Sequence, residues 1–206
     1  LNVGINDEIA EALGKQERTA WAVWDCYRRL LQSWAMSHGV VRDVFDQAIE
    51  SYKARYGVEK KMSFTPAQMR EIAYHYKQVM QDHGVTLVEE PFAQLLAAIR
   101  IVLTSWFSQR AASYREHLGI AEQWGTAAIV QRMVLGNLNL QSGSGVVLTR
   151  DPFKAENGIV LYGDYNVCSQ GEDVVSGLIN PLPISEVQRS TRWGAVQKTG
   201  TLETDF

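Results

Sequence analysis

Apolar side chains recur along residues 20–37 at spacings of three, four and seven: Trp21, Trp24, Leu31, Trp34 and Ala35, with Tyr27 and Leu30 widening the stripe. A helix repeats every 3.6 residues, so this pattern predicts an amphipathic helix with a broad buried side, stopped by Gly39. Residues 42–56 repeat the device through Val44, Phe45, Ala48, Ile49 and Tyr52 and end at Gly57. Thr65 and Pro66 predict a third helix, with threonine as N-cap and proline at the first helical position. Ile72, Tyr76, Val79 and Met80 line its inner side, and Gly84 follows its end. A fourth helix opens near Glu90-Pro91 and carries Phe92, Leu95, Leu96, Ile99, Val102, Leu103 and Trp106; it continues, or breaks and resumes, through residues 110–118. Four or five helices joined by short loops predict a small bundle.

The period changes near Gly119. Before it the long runs hold almost no Gly or Pro; after it Gly, Asn and Ser punctuate short β-rich stretches. This places a boundary between a helical subdomain, 1–119, and a β region, 120–206. Residues 126–135 (TAAIVQRMVL) read as a strand buried on both faces. Residues 146–149 and 159–165 read as two more strands, and the Asn157-Gly158 turn signal between them makes a hairpin. Pro181 and Pro183 predict loop, and residues 188–201 show no clear period. The fold class expected is α+β: a helical bundle followed by an antiparallel β region.

Composition narrows the function classes. The 206 residues are 46% hydrophobic, enough for a sizeable core, and the net charge of −3 with scattered Lys and Arg argues against nucleic acid or an anionic membrane as partner. No apolar run reaches the ~20 residues of a membrane-spanning helix, and no leader peptide is visible. The expected location is the cytoplasm. Cys26 and Cys168 have neither a CxxC nor a metal-ligand spacing and read as reduced thiols. The first residue is Leu and the last is Phe206, and both ends read as cuts through a longer protein.

Two stretches offer chemistry. In Gln141-Ser142-Gly143-Ser144-Gly145, before a strand that ends in Thr149 and Arg150, small residues leave backbone amides uncovered, so N–H groups can wrap phosphate oxygens. Arg150 can add a charged donor. The bland alternative is an ordinary hairpin turn, and the pattern is neither a P-loop nor a GxGxxG opening a helix. In Gln170-Gly171-Glu172-Asp173 two carboxylates follow a glycine and could meet a metal or a ribose hydroxyl; a solvated turn is the alternative. His75, His83 and His117 fall near helix ends or faces in solvated or hydrogen-bonded roles. His38 reads as a helix terminus, where imidazolium favours the dipole.

SGSGVVLTRDP (142–152) followed by LYGDYNVCSQGEDVVSGLINPLPI (161–184) resembles the N-terminal region of the pyruvate, phosphate dikinases. LNVGIND, CYRRLLQ, SWFSQRAASYREHLGI and WGTAAIVQRMVLGN extend the resemblance over nearly the whole chain. Asp164 stands where the family usually has Glu, Ser144 where it has Thr, and Arg132 where a neutral residue is common; residues 189–200 run longer and more polar. The resemblance implies an ATP-grasp fold whose first lobe carries a helical insertion, with residues 126–135 as that lobe's final strand. It implies adenine contacts at Gln131 and Met133, phosphate contacts at Ser142, Gly143, Ser144, Gly145, Thr149 and Arg150, and a cleft border at Gln170, Gly171 and Glu172. It implies ATP and Mg2+ as cofactors of a parent enzyme that makes phosphoenolpyruvate, AMP and pyrophosphate from pyruvate, ATP and phosphate through a phosphohistidine. The implied partners are the parent's phosphohistidine and pyruvate-binding domains, and a homodimer. In the family further ATP-binding groups lie outside 1–206, so no catalytic residue and no metal ligand is expected here, and the chain alone is expected to be inactive. The rival readings are a non-catalytic docking or regulatory helical module, and another ATP-grasp dikinase such as a phosphoenolpyruvate synthase or a glucan dikinase. With part of the first lobe outside the chain, residues 126–135 would lie uncovered, predicting self-association or a rearranged β half.

Overall fold

The computed structural model describes residues 2–152, 161–175 and 180–193. They divide into two compact units, 1–133 and 134–206.

In the first unit α2 (Ala20–Ser37) is the axis. Its predicted stripe is buried, and so is much of its polar face, because Asp25, Arg28 and Arg29 pair with one another inside the bundle. α4 (Pro66–Asp82) packs along it through Met69, Ile72, Ala73, Tyr76 and Met80. α3 (Asp43–Tyr56) joins at Phe45, whose carbonyl accepts from the Tyr76 hydroxyl at 2.7 Å. The start of α4 is fixed as the sequence predicts. The Thr65 side chain accepts from the Gln68 amide while the Gln68 side chain accepts from the Thr65 amide, a reciprocal capping box.

α1 (Asp7–Leu13) has no counterpart in the sequence reading. Seven residues are too few for a visible stripe, yet its start signal is present: the Asn6 side chain accepts from the Ile9 amide at 2.8 Å, with Asp7 and Glu8 in the first turn. The predicted fourth helix breaks and resumes. α5 (Pro91–Thr104) passes through a 3-10 turn at Ser105–Phe107 into α6 (Gln109–Leu118), with a 54° bend. Ser108 caps α6, and Gly119 closes it in a left-handed conformation (φ 64°) that suits glycine.

Residues 126–135 correct the sequence reading. They form no strand, and most of them are exposed, Ile129 at 87% and Val134 at 89%. A strand buried on both faces needs partners on both sides. The only sheet among the described residues is made by other segments.

The second unit holds that sheet: β1 (Gly143–Leu148), β2 (Tyr162–Val167) and β3 (Leu182–Pro183), antiparallel in the order β1-β2-β3. Three differences from the sequence reading stand out. β1 begins three residues early and takes in the glycines. Leu182 and Pro183 pair with Tyr165 and Asp164 instead of forming loop. Residues without a visible period hold α8 (Glu186–Trp193), whose Ser185 side chain accepts from the Gln188 amide. The Asn157-Gly158 turn lies outside the described residues. The whole is α+β.

Candidate functional site

In the second unit the site is built on the β1–β2 ladder. Gly143 faces Val167, Ser144 faces Asn166 and Gly145 faces Tyr165. The Cys168 amide donates to the Ser142 carbonyl at 2.6 Å, which fixes the alternation. Ser144 and Val146 therefore exchange hydrogen bonds with β2, while the N–H groups of Gly143, Gly145 and Val147 turn away from it. β1 is an edge strand among the described residues, so these amides face the open side of the sheet.

The glycines have a second, purely steric reason. A Cβ on Gly143 would lie 2.8 Å from the Asn166 carbonyl oxygen, and one on Gly145 would lie 2.9 Å from that of Asp164. Both distances are shorter than carbon and oxygen tolerate. From Gly143 on, the expected open loop at 142–145 is thus a strand, and glycine there has a steric role in the ladder with or without a ligand.

At the Ser142 end the chain folds back onto the same place. Cys168 adopts φ 48°, a left-handed conformation costly for a side chain with a Cβ, and so turns β2 sharply into Ser169 and Gln170. The Ser144 hydroxyl donates to the Ser169 carbonyl at 2.9 Å. Gly136 packs into the same corner, where a Cβ would collide with the Ser144 hydroxyl and the Ser169 carbonyl. The Gln170 amide donates to the Asp173 carboxylate at 3.1 Å, starting α7 (Gly171–Val175). Ser142, Gly143, Ser144 and Gly145 are thereby brought beside Gln170, Gly171 and Glu172. Gly136 and Cys168 were not singled out in the sequence; the Gly136-Asn137 pair is a turn signal that would have marked the corner.

The other predicted residues lie elsewhere. Thr149 and Arg150 are exposed just past the opposite end of β1, which at ~3.3 Å per residue puts Thr149 roughly 23 Å along the chain from Ser142. Gln131 and Met133 belong to the first unit, where they line a cavity of about 680 Å³ with Pro91, Leu95, Ile99 and Val102 of α5. Asp164, the shorter acid noted in the sequence, accepts from the Gln188 side chain at 3.3 Å, while that side chain's oxygen accepts from the Gly163 amide at 3.0 Å. Among the described residues no three His, Cys, Asp or Glu side chains converge on a point where a metal ion could sit.

Residues 1–204 match the family described as pyruvate phosphate dikinase, AMP/ATP-binding domain. Among curated proteins, the chain is 39% identical over 191 residues to the pyruvate, phosphate dikinase of Rhizobium meliloti (strain 1021), covering 92% of this chain and 21% of that one. It is 37% identical over 185 residues to that of Rickettsia bellii (strain RML369-C), covering 89% and 21%. It is 38% identical over 194 residues to that of Clostridium symbiosum, covering 91% and 22%. The chain spans about a fifth of the length of these relatives.

Proposed function

The chain belongs to the pyruvate phosphate dikinase AMP/ATP-binding domain family, and from that premise we propose that it supplies one phosphate-facing wall of an ATP site in a pyruvate, phosphate dikinase. The observation that carries the proposal is the corner where Gly143 and Gly145 turn their amides to the open edge of β1 beside Gln170–Gly171–Glu172. Backbone N–H groups not used by a ladder are strong donors held in place without side-chain entropy, which suits a polyphosphate. Glu172, exposed in the first turn of α7, would accept from a ribose hydroxyl or an amine of the nucleotide.

In this reading β1–β3 are part of an ATP-grasp lobe, and residues 1–119 are the helical insertion of its companion lobe. The parent enzyme would convert ATP, phosphate and pyruvate into AMP, pyrophosphate and phosphoenolpyruvate, carrying the phosphoryl group on a histidine of another domain. Phosphoryl transfer rests on positioning and charge neutralisation. Among the described residues this chain offers a neutral amide edge, and the cations and metal ligands that neutralise charge would come from elsewhere. The isolated chain would therefore hold nucleotide weakly and leave it intact.

Calorimetric titration of ATP into the purified chain tests this directly. Saturable binding, weakened by Glu172→Gln without loss of fold, is the expected result. Binding weaker than millimolar in the chain, together with unchanged ATP affinity in Glu172→Gln of the full-length enzyme, would overturn the site. Gly143→Val is a poor probe, because its Cβ meets the Asn166 carbonyl whether or not a phosphate binds there.

A further inference from the structure

We propose that the elbow between α5 and α6 is a second binding site, independent of the nucleotide reading, for a small acid with a planar apolar body: an aromatic carboxylate or phosphate. The elbow is a cavity of about 840 Å³ closed on its other side by the C-terminal end of α2. That volume falls within the range of small-molecule sites, ~300–1,000 Å³.

The α5 wall and the bend that follows it are held in place. α5 is tied to the bundle by the buried Gln94, which accepts from the Gly4 amide at 2.6 Å and donates to the carbonyls of Ile5 and Val88 at 3.2 and 2.8 Å. α6 is folded back by Arg115, whose guanidinium donates to the Trp106 carbonyl at 2.5 Å and lies 4.1 Å from the centre of the Trp106 ring. The bend is thus pinned from both arms, and the concavity does not depend on an occupant.

The lining selects an anion. Arg100 and His38 both face the cavity's lining and no carboxylate does. Arg100 makes no ion pair among the described residues, so its five donors are available to an acid. The His38 ring lies tilted 5.6 Å from the Trp34 ring, and its Nδ1 donates to the Trp34 carbonyl at 2.8 Å, so Nε2 can donate to an acid only in the doubly protonated ring and Arg100 is the principal anion donor. The rest of the lining selects a flat apolar body. Ile101 forms part of the wall, and Phe107 is 80% exposed with no ring partner among the described residues. An exposed aromatic ring and an unpaired guanidinium in the lining of one cavity match a ligand with one aromatic face and one acidic end.

Amide chemical shifts of the 15N-labelled 206-residue chain test the site with three probes: 2-naphthoate, 2-naphthyl phosphate and the neutral 2-naphthamide. The expected result is saturable shifts at Ser37, His38, Arg100 and residues 104–108 with the two acids, and weaker binding of the amide. The tighter of the two acids identifies the head group. Arg100→Gln, at an exposed position, should keep the native spectrum and weaken both acids at least ~tenfold, the loss expected for one charge-assisted hydrogen bond. Phe107→Ala should weaken all three probes. Three outcomes would overturn the proposal: no saturable shifts at the elbow, shifts confined to residues 127–133, or equal affinity for acid and amide. Undiminished acid binding by Arg100→Gln would do the same.

Discussion

Asp25 is fully buried on α2, and burial by itself would raise its carboxyl pKa; Lys61, Arg28 and Arg29 outweigh that and hold it well below the ordinary 3.8. Both oxygens are used, at 2.9 Å to Arg28 and 2.9 Å to Arg29, with Lys61 at 3.3 Å. A buried ion cluster stabilises little relative to an apolar one, but removing one sign leaves the other uncompensated. Asp25→Asn should therefore cost ~3–5 kcal/mol in urea unfolding, because two arginines would remain inside without their counter-ion. A depressed folded pKa means that the stabilisation is present above the unfolded value and is lost as pH falls through the folded one. Wild-type stability should thus drop below about pH 4, and the Asn variant should lose less over that window. Glu11, Glu71 and Glu90 shift the same way, so some acid sensitivity remains in the variant. In the second unit, Gly143→Ala places a Cβ 2.8 Å from the Asn166 carbonyl. It should destabilise by ~1–3 kcal/mol, the usual cost of overpacking, before any ligand is added.

Helix ends and helix faces were legible wherever a stripe ran long enough to show. Residues 20–37 and the Thr65-Pro66 start coincide with α2 and α4 because large apolar residues repeat there for four or more turns, Trp, Tyr and Leu in α2 and Met, Ile and Tyr in α4, and Thr65 fits the cap role. The cap prediction is quantitative: Thr65→Ala removes the acceptor for the Gln68 amide and should cost ~1 kcal/mol in thermal unfolding, with Ser at that position restoring most of it. α1 and α8 escaped because seven or eight residues give two turns at most, too few for periodicity; Asn6 and Ser185, their caps, were the available signals. The strands were harder for a different reason. β1 starts at a glycine because the backbones of β1 and β2 approach closely there, and sequence reading takes Ser-Gly-Ser-Gly as a loop. β3 contains a proline, which sits on the sheet's edge where its missing N–H is not needed.

At the scale of the whole chain, family membership was readable from the ordered run between Ser142 and Ile184, since several short motifs in one order are far more specific than any glycine-rich turn. The site was only partly readable. The corner joining Ser142–Gly145 to Gln170–Glu172 depends on the left-handed Cys168 and on Gly136, whose roles are set by tertiary packing. Arg150, grouped with the glycines by sequence proximity, ends at the other end of the strand. Residues 126–135 show the same principle from the other side. Their β-branched apolar composition suits a covered strand, yet Ile129 and Val134 stand almost wholly in solvent and the segment pairs with no strand among the described residues. An exposed apolar segment outside any ladder is a candidate template for another chain, and Arg132 is its one charged residue. The 206-residue chain produced alone should therefore self-associate as its concentration rises, seen as an increasing weight-average mass in sedimentation velocity. Ile129→Lys with Val134→Lys adds two exposed like charges to the segment without touching the bundle core. This variant should stay monomeric at concentrations where the wild type does not. If both sediment alike, the segment is not the adhesive surface, and its exposure has no consequence for assembly.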